Sequence, residues 1–205
     1  NSQTARDHPA GHQVEVMLRA IDLFCGAGGA TKGLQRAGFH VTGVDIRPQP
    51  RYCGDAFVQG DALRPPFNLA RFDFIWASPP CQKHTALRTM HNAKEHVDLI
   101  PQTRAMLKAS GVRYVIENVM GAPLRNPIVL CGTMFALGIP EAELQRHRQF
   151  ETGPVYWSFP HPPCRHRKRA IGVYGGGHGV SLHRHANGQP CFTADQERAA
   201  MGMPW

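Results

Sequence analysis

Short apolar runs alternate with stretches of helical period from Leu18 to about Phe150. Ala20-Ile21-Asp22-Leu23-Phe24 reads as a buried strand, Gly26 to Gly29 as a turn, and Ala30 to Ala37 as a helix closed by Gly38. His40 to Asp45 and Ala56 to Gly60 read as two further strands. Phe72 to Ala77 is a fourth and runs straight into Ser78-Pro79-Pro80-Cys81. The pattern predicts a helix over His96 to Ser110, with Pro101 near its start, and a fifth strand over Arg113 to Glu117. Strands alternating with helices predict an α/β fold with a mostly parallel sheet covered on both faces. Such sheets bind ligands beyond the carboxyl ends of their strands, where Phe24, Asp45, Asp61, Cys81 and Glu117 all fall.

After Phe150 the periodicity fades, and Gly, Pro, His and Arg take over. Ala194 to Met201 reads as a short helix begun by Thr193. The expected organisation is a flexible leader over residues 1–17, a catalytic and cofactor-binding domain over 18–151, a small irregular recognition region over 152–190, and a C-terminal helix over 191–205 packing back on the core.

Composition narrows the function classes. A hydrophobic fraction of 42% with 19% charged residues fits a globular chain. No apolar run approaches the roughly 20 residues needed to cross a bilayer, and the polar stretch from Asn1 to His12 has no signal-peptide core. No membrane is expected; six cysteines scattered through unrelated contexts fit a reducing cytoplasm, and the compact, basic chain suggests a bacterial or phage-infected cell. The formal net charge of +8 favours a polyanionic partner. From Arg146 to Arg169 there are six Lys/Arg against one acid, Glu151. That imbalance points to phosphate contact by Arg165, Arg167, Lys168 and Arg169.

Four strings carry chemistry. Asp22-Leu23-Phe24-Cys25-Gly26-Ala27-Gly28-Gly29 places glycines after a strand, where a ligand can approach backbone donors at a helix start. Asp45, ending the second strand, is placed to accept ribose hydroxyls. Cys81 follows a rigid Pro-Pro at a strand end, and the residues after it, Gln82 to Lys94, are polar and basic. Glu117-Asn118-Val119 ends the fifth strand, 36 positions on (117 − 81). In a strand, Arg146 and Arg148 of Arg146-His147-Arg148 would point to one side. His161, Cys164 and His166 lie close together with Cys191 beyond, but their spacing fits no zinc pattern. No metal site is expected; these residues read as solvated or as contacts to the phosphates of a polyanion.

Together, in this order, these strings resemble the motifs of the DNA cytosine-5 methyltransferases, from about Ala20 to Trp205. Thr193-Ala194-Asp195-Gln196-Glu197-Arg198 with Met201-Gly202-Met203-Pro204 resembles that family's ninth motif. The resemblance implies a Rossmann-like class I S-adenosylmethionine-dependent methyltransferase fold. It implies S-adenosylmethionine as cofactor, S-adenosylhomocysteine as product, and double-stranded DNA as partner to a monomeric enzyme. Cys81 would attack carbon 6 of a flipped cytosine while Glu117 steadies its nitrogen 3; of Arg146 and Arg148, one would bind the base or the catalytic loop and the other a phosphate. Cofactor contacts are implied at Asp22, Phe24, Cys25, Gly26, Ala27, Gly28, Gly29, Asp45, Ile46, Asp61, Ala62 and Pro80. Substrate contacts are expected at Ser78, Pro79, Gln82, Asn118 and Val119, and at the four basic residues from Arg165 to Arg169.

Two departures from the family shape the expectation. The stretch from about Glu151 to Gln189 is short for a recognition domain, so the target site is expected to be short or relaxed. No Gly-Asn-like tenth motif, which helps wall the cofactor pocket in the family, precedes Trp205, and this leaves a modified donor open. A catalytically degenerate DNA-binding protein and a tRNA cytosine-5 methyltransferase are the alternative readings.

Overall fold

A computed structural model describes residues 17–80, 97–156, 158, 160–171 and 192–202. Seven strands form the main sheet: β1 (Leu18–Leu23), β2 (Phe39–Asp45), β3 (Ala56–Gln59), β4 (Phe74–Ala77), β5 (Tyr114–Asn118), β6 (Ile128–Cys131) and β9 (His147–Gly153). Their order is β3-β2-β1-β4-β5-β9-β6. β1 to β5 pair in parallel. β9 runs antiparallel to both β5 and β6, so it alone is reversed. A parallel sheet with one reversed strand in this order is the Rossmann-like class I methyltransferase fold that the sequence leads one to expect.

The centre of the sheet falls where the sequence is most apolar. β1 lies between β2 and β4, and its last four residues are buried. Ile21, Leu23, Val44, Ile75, Leu107, Tyr114 and Ile116 form one core. Helix α1 (Gly29–Arg36) follows the glycine turn, and α2 (Ile100–Ser110) leads into β5. α2 begins at Ile100, with Val97 to Leu99 outside it, so Pro101 sits in the first turn, where its missing N–H breaks no hydrogen bond. It ends at Gly111 in the left-handed region, at φ 69°.

A second sheet of order β10-β8-β7 is built from β7 (Gly138–Ile139), β8 (Ala142–Glu143) and β10 (Arg169–Ala170). Ala142, Leu144 and Ile171 make a small core of their own with Ala200 of α3 (Ala194–Ala200). α3 does pack back on the molecule, but onto this small sheet and not onto the main core. Thr193 caps it, its hydroxyl accepting from Gln196 N while the Gln196 side chain accepts from Thr193 N.

One buried ion pair ties the helix layer to the reversed strand. Arg104 of α2 donates through Nε and Nη2 to the two carboxylate oxygens of Glu151, both at 2.7 Å. Glu151 also accepts from Arg125 N at 2.8 Å, and Arg104 donates to Pro123 O at 2.8 Å. Both carboxylate oxygens and the Nε and Nη2 donors are thus occupied, as a charge pair removed from water requires.

Candidate active site

The carboxyl ends of β1, β2, β4 and β5 open on one side of the sheet. The residues just past them, Phe24, Ile46, Ser78 and Val119, all border a cavity of about 430 Å³. It sits where the strand order reverses, between the branch leading to β2 and the branch leading to β4.

On the β1–β2 side, backbone strain and buried polar ties shape the wall. Phe24 leaves the strand at φ 61°, which is unusual for a side chain of that size, and its ring borders the cavity. Gly28 caps α1 at φ 94°, and a Cβ there would come within 2.8 Å of Cys53 Sγ, so only glycine fits. Asp45 borders the cavity while Oδ2 accepts from Gly26 N and Oδ1 from Arg47 N, both at 2.9 Å. An ionised carboxylate has lone pairs left for a diol after two such bonds. Ala62, Arg47 and Gln49 complete this wall, and the last two were not singled out from sequence.

Asp22 and Cys25 lie behind the wall. Asp22 is 1% exposed, and its Oδ2 accepts from Thr31 N at 3.1 Å and Thr31 Oγ1 at 2.6 Å. Burial pushes its carboxyl up to about 7, against the lowering effect of the Thr31 bonds. Asp22 therefore holds the start of α1 against β1. The Cys25 thiol is buried and pushed up by desolvation, so it is no nucleophile. Both, with Gly29, border an adjoining cavity of about 470 Å³, walled by Trp76, Leu130 and Phe150 among others.

On the β4–β5 side the groups are polar and interlocked. Glu117 Oε2 accepts from Ser78 Oγ at 2.9 Å, and Ser78 Oγ accepts from Trp76 Nε1 at 2.8 Å. Glu117 Oε1 lies 3.2 Å from Arg148 Nε. The buried Asn118 amide donates to Pro79 O at 3.0 Å, tying β5 to the Ser78-Pro79-Pro80 segment. Arg146 and Arg148 both reach this cavity, although Arg146 precedes β9 and also donates to Met201 Sδ at 3.5 Å. The nucleophile expected from sequence, Cys81, and its neighbour Gln82 lie outside the described residues.

Residues 21–115 match a family model described as a methyltransferase domain. The match spans β1 to β5 and both helices between them. That stretch is 95 of the chain's 205 residues (115 − 21 + 1), and its description agrees with the Rossmann-like strand order of the main sheet. Among solved structures, Burkholderia thailandensis 1,6-didemethyltoxoflavin-N1-methyltransferase is similar at 18% identity and TM-score 0.37, over 66% of this chain and 54% of that one. The PH0226 protein of Pyrococcus horikoshii OT3 is similar at 14% identity and TM-score 0.38, over 74% and 84%. A SAM-dependent methyltransferase from Agrobacterium tumefaciens is similar at 17% identity and TM-score 0.32, over 52% and 40%. The chain spans about half the length of the first of these, 54%. No curated protein matches it.

Several expected site residues sit elsewhere. Asp61 is exposed and stays off the cavity, because its carboxylate accepts from Leu63 N at 2.9 Å and so closes its own turn. Ala27 is exposed at the loop tip. The basic run after Cys164 serves the small sheet. Arg167 N and Lys168 N donate to Glu143 Oε2 at 2.8 and 3.1 Å, and those bonds hold the Glu143 carboxyl below the usual range. Lys168 Nζ donates to Pro140 O, and the Arg169 guanidinium lies 4.3 Å from the centre of the Phe192 ring. Arg165 and Arg167 are exposed. None of the four borders the cavity beyond β5.

Cys131, His147, Cys164 and His166 offer four ligand atoms that all lie within 4.8 Å of one another. Two of the four come from the string that sequence had considered and set aside; the other two come from β6 and β9. His161 is not among them; its ring contacts Pro162 O, and Cys191 lies outside the described residues.

Proposed function

We propose that the protein is a DNA cytosine-5 methyltransferase. The observation that carries this reading is the Glu117 carboxylate, set between Ser78 and Arg148 at the end of the cavity, in the same wall as Pro80, the residue before Cys81. S-adenosylmethionine, when bound, supplies an electrophilic methyl group on a sulfonium. Phe24, Asp45 and Ile46 fit its adenosine, and the Gly26–Gly29 turn fits its methionine end.

Carbon 5 of cytosine is a poor nucleophile, and the chain's residues answer that problem. The base is turned out of the duplex to reach an enclosed pocket. The Cys81 thiolate adds to carbon 6, which makes carbon 5 electron-rich. A proton shared between Glu117 and ring nitrogen 3 draws electrons from carbon 6, and the other carboxyl oxygen accepts from the amino group, which selects cytosine over thymine. Arg148 fixes the Glu117 carboxylate in line with the base. Carbon 5 takes the methyl group, a base removes the carbon 5 proton, and the thiolate leaves. The net charge of +8 suits a duplex partner.

The test is to incubate the full chain with duplex DNA and S-adenosylmethionine, digest the DNA and identify modified nucleosides by mass spectrometry. 5-Methylcytosine is expected, and its loss in Cys81→Ala with DNA binding retained. Full activity in that variant would sink the mechanism. Methylation of tRNA and not of duplex DNA would move the substrate to RNA.

A further inference from the structure

The geometry points to a structural zinc site formed by Cys131, His147, Cys164 and His166. Its four ligand atoms converge. Cys164 Sγ lies 3.0 Å from His166 Nε2 and 3.3 Å from His147 Nε2, and Cys131 Sγ lies 3.5 Å from His166 Nε2. A tetrahedral zinc with bonds of about 2.0–2.3 Å sets sulfur and nitrogen ligands about 3.5 Å apart, so little movement is needed to close the shell. Two soft sulfurs and two imidazoles are the donor set that zinc prefers. Both cysteines would bind as thiolates after losing their protons, and both histidines as neutral rings through Nε2. Two thiolate charges then balance the dication, so the half-buried site is neutral overall.

The fold supplies the second shell and the reason for the site. Thr133 Oγ1 lies 3.3 Å from Cys131 Sγ and 3.6 Å from Cys164 Sγ, placed to donate its one proton to the nearer Cys131 thiolate. Cys131 and His147 are cross-strand partners in the β6–β9 register, at the free edge of the main sheet. Cys164 and His166 come from the irregular segment between β9 and β10. The metal therefore staples a segment with little regular structure to the sheet edge. His147 also stands between Arg146 and Arg148, whose side chains reach the candidate active site. Fixing His147 on one face of β9 fixes the arginine beside it on the other. The site is thus a positioning device for the arginine pair as well as a staple.

Elemental analysis of the full-length protein, purified under reducing conditions, tests this without any assumption about its substrate. About one zinc per chain is expected, and replacement by cobalt should give the visible absorption of a tetrahedral thiolate-ligated ion. His166→Ala and Cys164→Ser should each lose the metal, while His161→Ala should keep it. A chelator should lower the thermal midpoint of wild type and leave that of His166→Ala unmoved. Two results would overturn the assignment: no bound metal after reconstitution with zinc, or a Cys131–Cys164 disulfide in the protein isolated without reductant. Retention of a full zinc equivalent by His166→Ala would overturn this ligand set.

Discussion

The two halves of the main sheet are held together by different means. From β3 to β5 the strands are parallel, with β1, β2, β4 and β5 supplying the buried Val, Ile and Leu, and their loops are set by short ties such as Thr31 to Asp22 and Gly26 to Asp45. From β9 outward one strand is reversed, the strands of the small sheet are two residues long, and the small core holds four buried side chains. That outer half depends on discrete polar links: the Arg104–Glu151 pair, the Glu143 carboxylate under Arg167 and Lys168, and the Cys/His cluster. The contrast teaches where each half can fail. The inner half loses stability gradually with lost apolar contact, and the outer half abruptly when one link is cut.

Glu117 and Arg148 meet across that boundary, so they give the largest expected effect. Glu117→Gln keeps the shape of the side chain but removes the charge facing Arg148 and the strong acceptor for the base. Turnover on duplex DNA is expected to fall by about 10²–10⁴-fold. Arg148→Ala, which removes only the outer half's contribution, should cost less, on the order of 10²-fold. Single-turnover measurement with both variants checks the ranking. Undiminished turnover in Arg148→Ala would mean that the outer half takes no part in the chemistry, and the comparison would collapse to a rigid core with an attachment.

The ion pair between α2 and β9 comes next. Glu151→Ala leaves the Arg104 guanidinium buried opposite an apolar side chain, and folding stability should fall by about 3–5 kcal/mol. Urea unfolding of wild type and variant measures this directly. Replacing both partners together, as Arg104→Met with Glu151→Leu, should recover most of the loss, because a buried pair contributes little net stability compared with well-packed apolar residues. A double variant as unstable as the single one would assign the defect to lost packing and not to an abandoned charge.

How much was legible in the sequence follows the same division. The strands at Ala20, His40, Ala56 and Arg113 and the helix after Gly29 fall within a few residues of where alternation and glycine placed them, because local pattern decides buried parallel strands. Of the residues expected past the strand ends, Phe24, Asp45 and Glu117 came out beside one cavity for the same reason, since topology alone gathers them; Asp61 did not, and Cys81 lies outside the described residues. Phe24 was read as the end of β1, but the positive φ that swings its ring to the cavity leaves no mark on period or composition. The outer half was nearly illegible. Its strands over Gly138–Ile139 and Ala142–Glu143 are too short for any period. The cluster joins residues separated by 16 and 17 positions (147 − 131 and 164 − 147) before its one close pair, Cys164 and His166. Only the β6–β9 register brings them together, and that register is a tertiary fact. For the basic run, charge sign says nothing of direction: Lys168 donates to Pro140 O and the Arg169 guanidinium lies over the Phe192 ring.

The smallest effect, and the sharpest probe of the inner half, is the pH dependence set by Asp22. Its folded pKa is raised by burial to about 7, above the unfolded value of 3.8. Below the unfolded value both states carry the proton and the site contributes no penalty. Between the two values the unfolded chain ionises while the native state keeps its proton, so stability falls as pH rises, and the fall levels off above the folded pKa. The expected loss from about pH 5 to pH 8 is on the order of 2–3 kcal/mol. Asp22→Asn retains an acceptor for the Thr31 hydroxyl and cannot ionise, so this part of the slope should vanish from its urea midpoints across the same range. A variant that keeps the slope would show that another group carries it, and that Asp22 stays charged behind the glycine turn. In that case the start of α1 would be held by a buried anion, and the inner half would depend on a discrete polar link just as the outer half does.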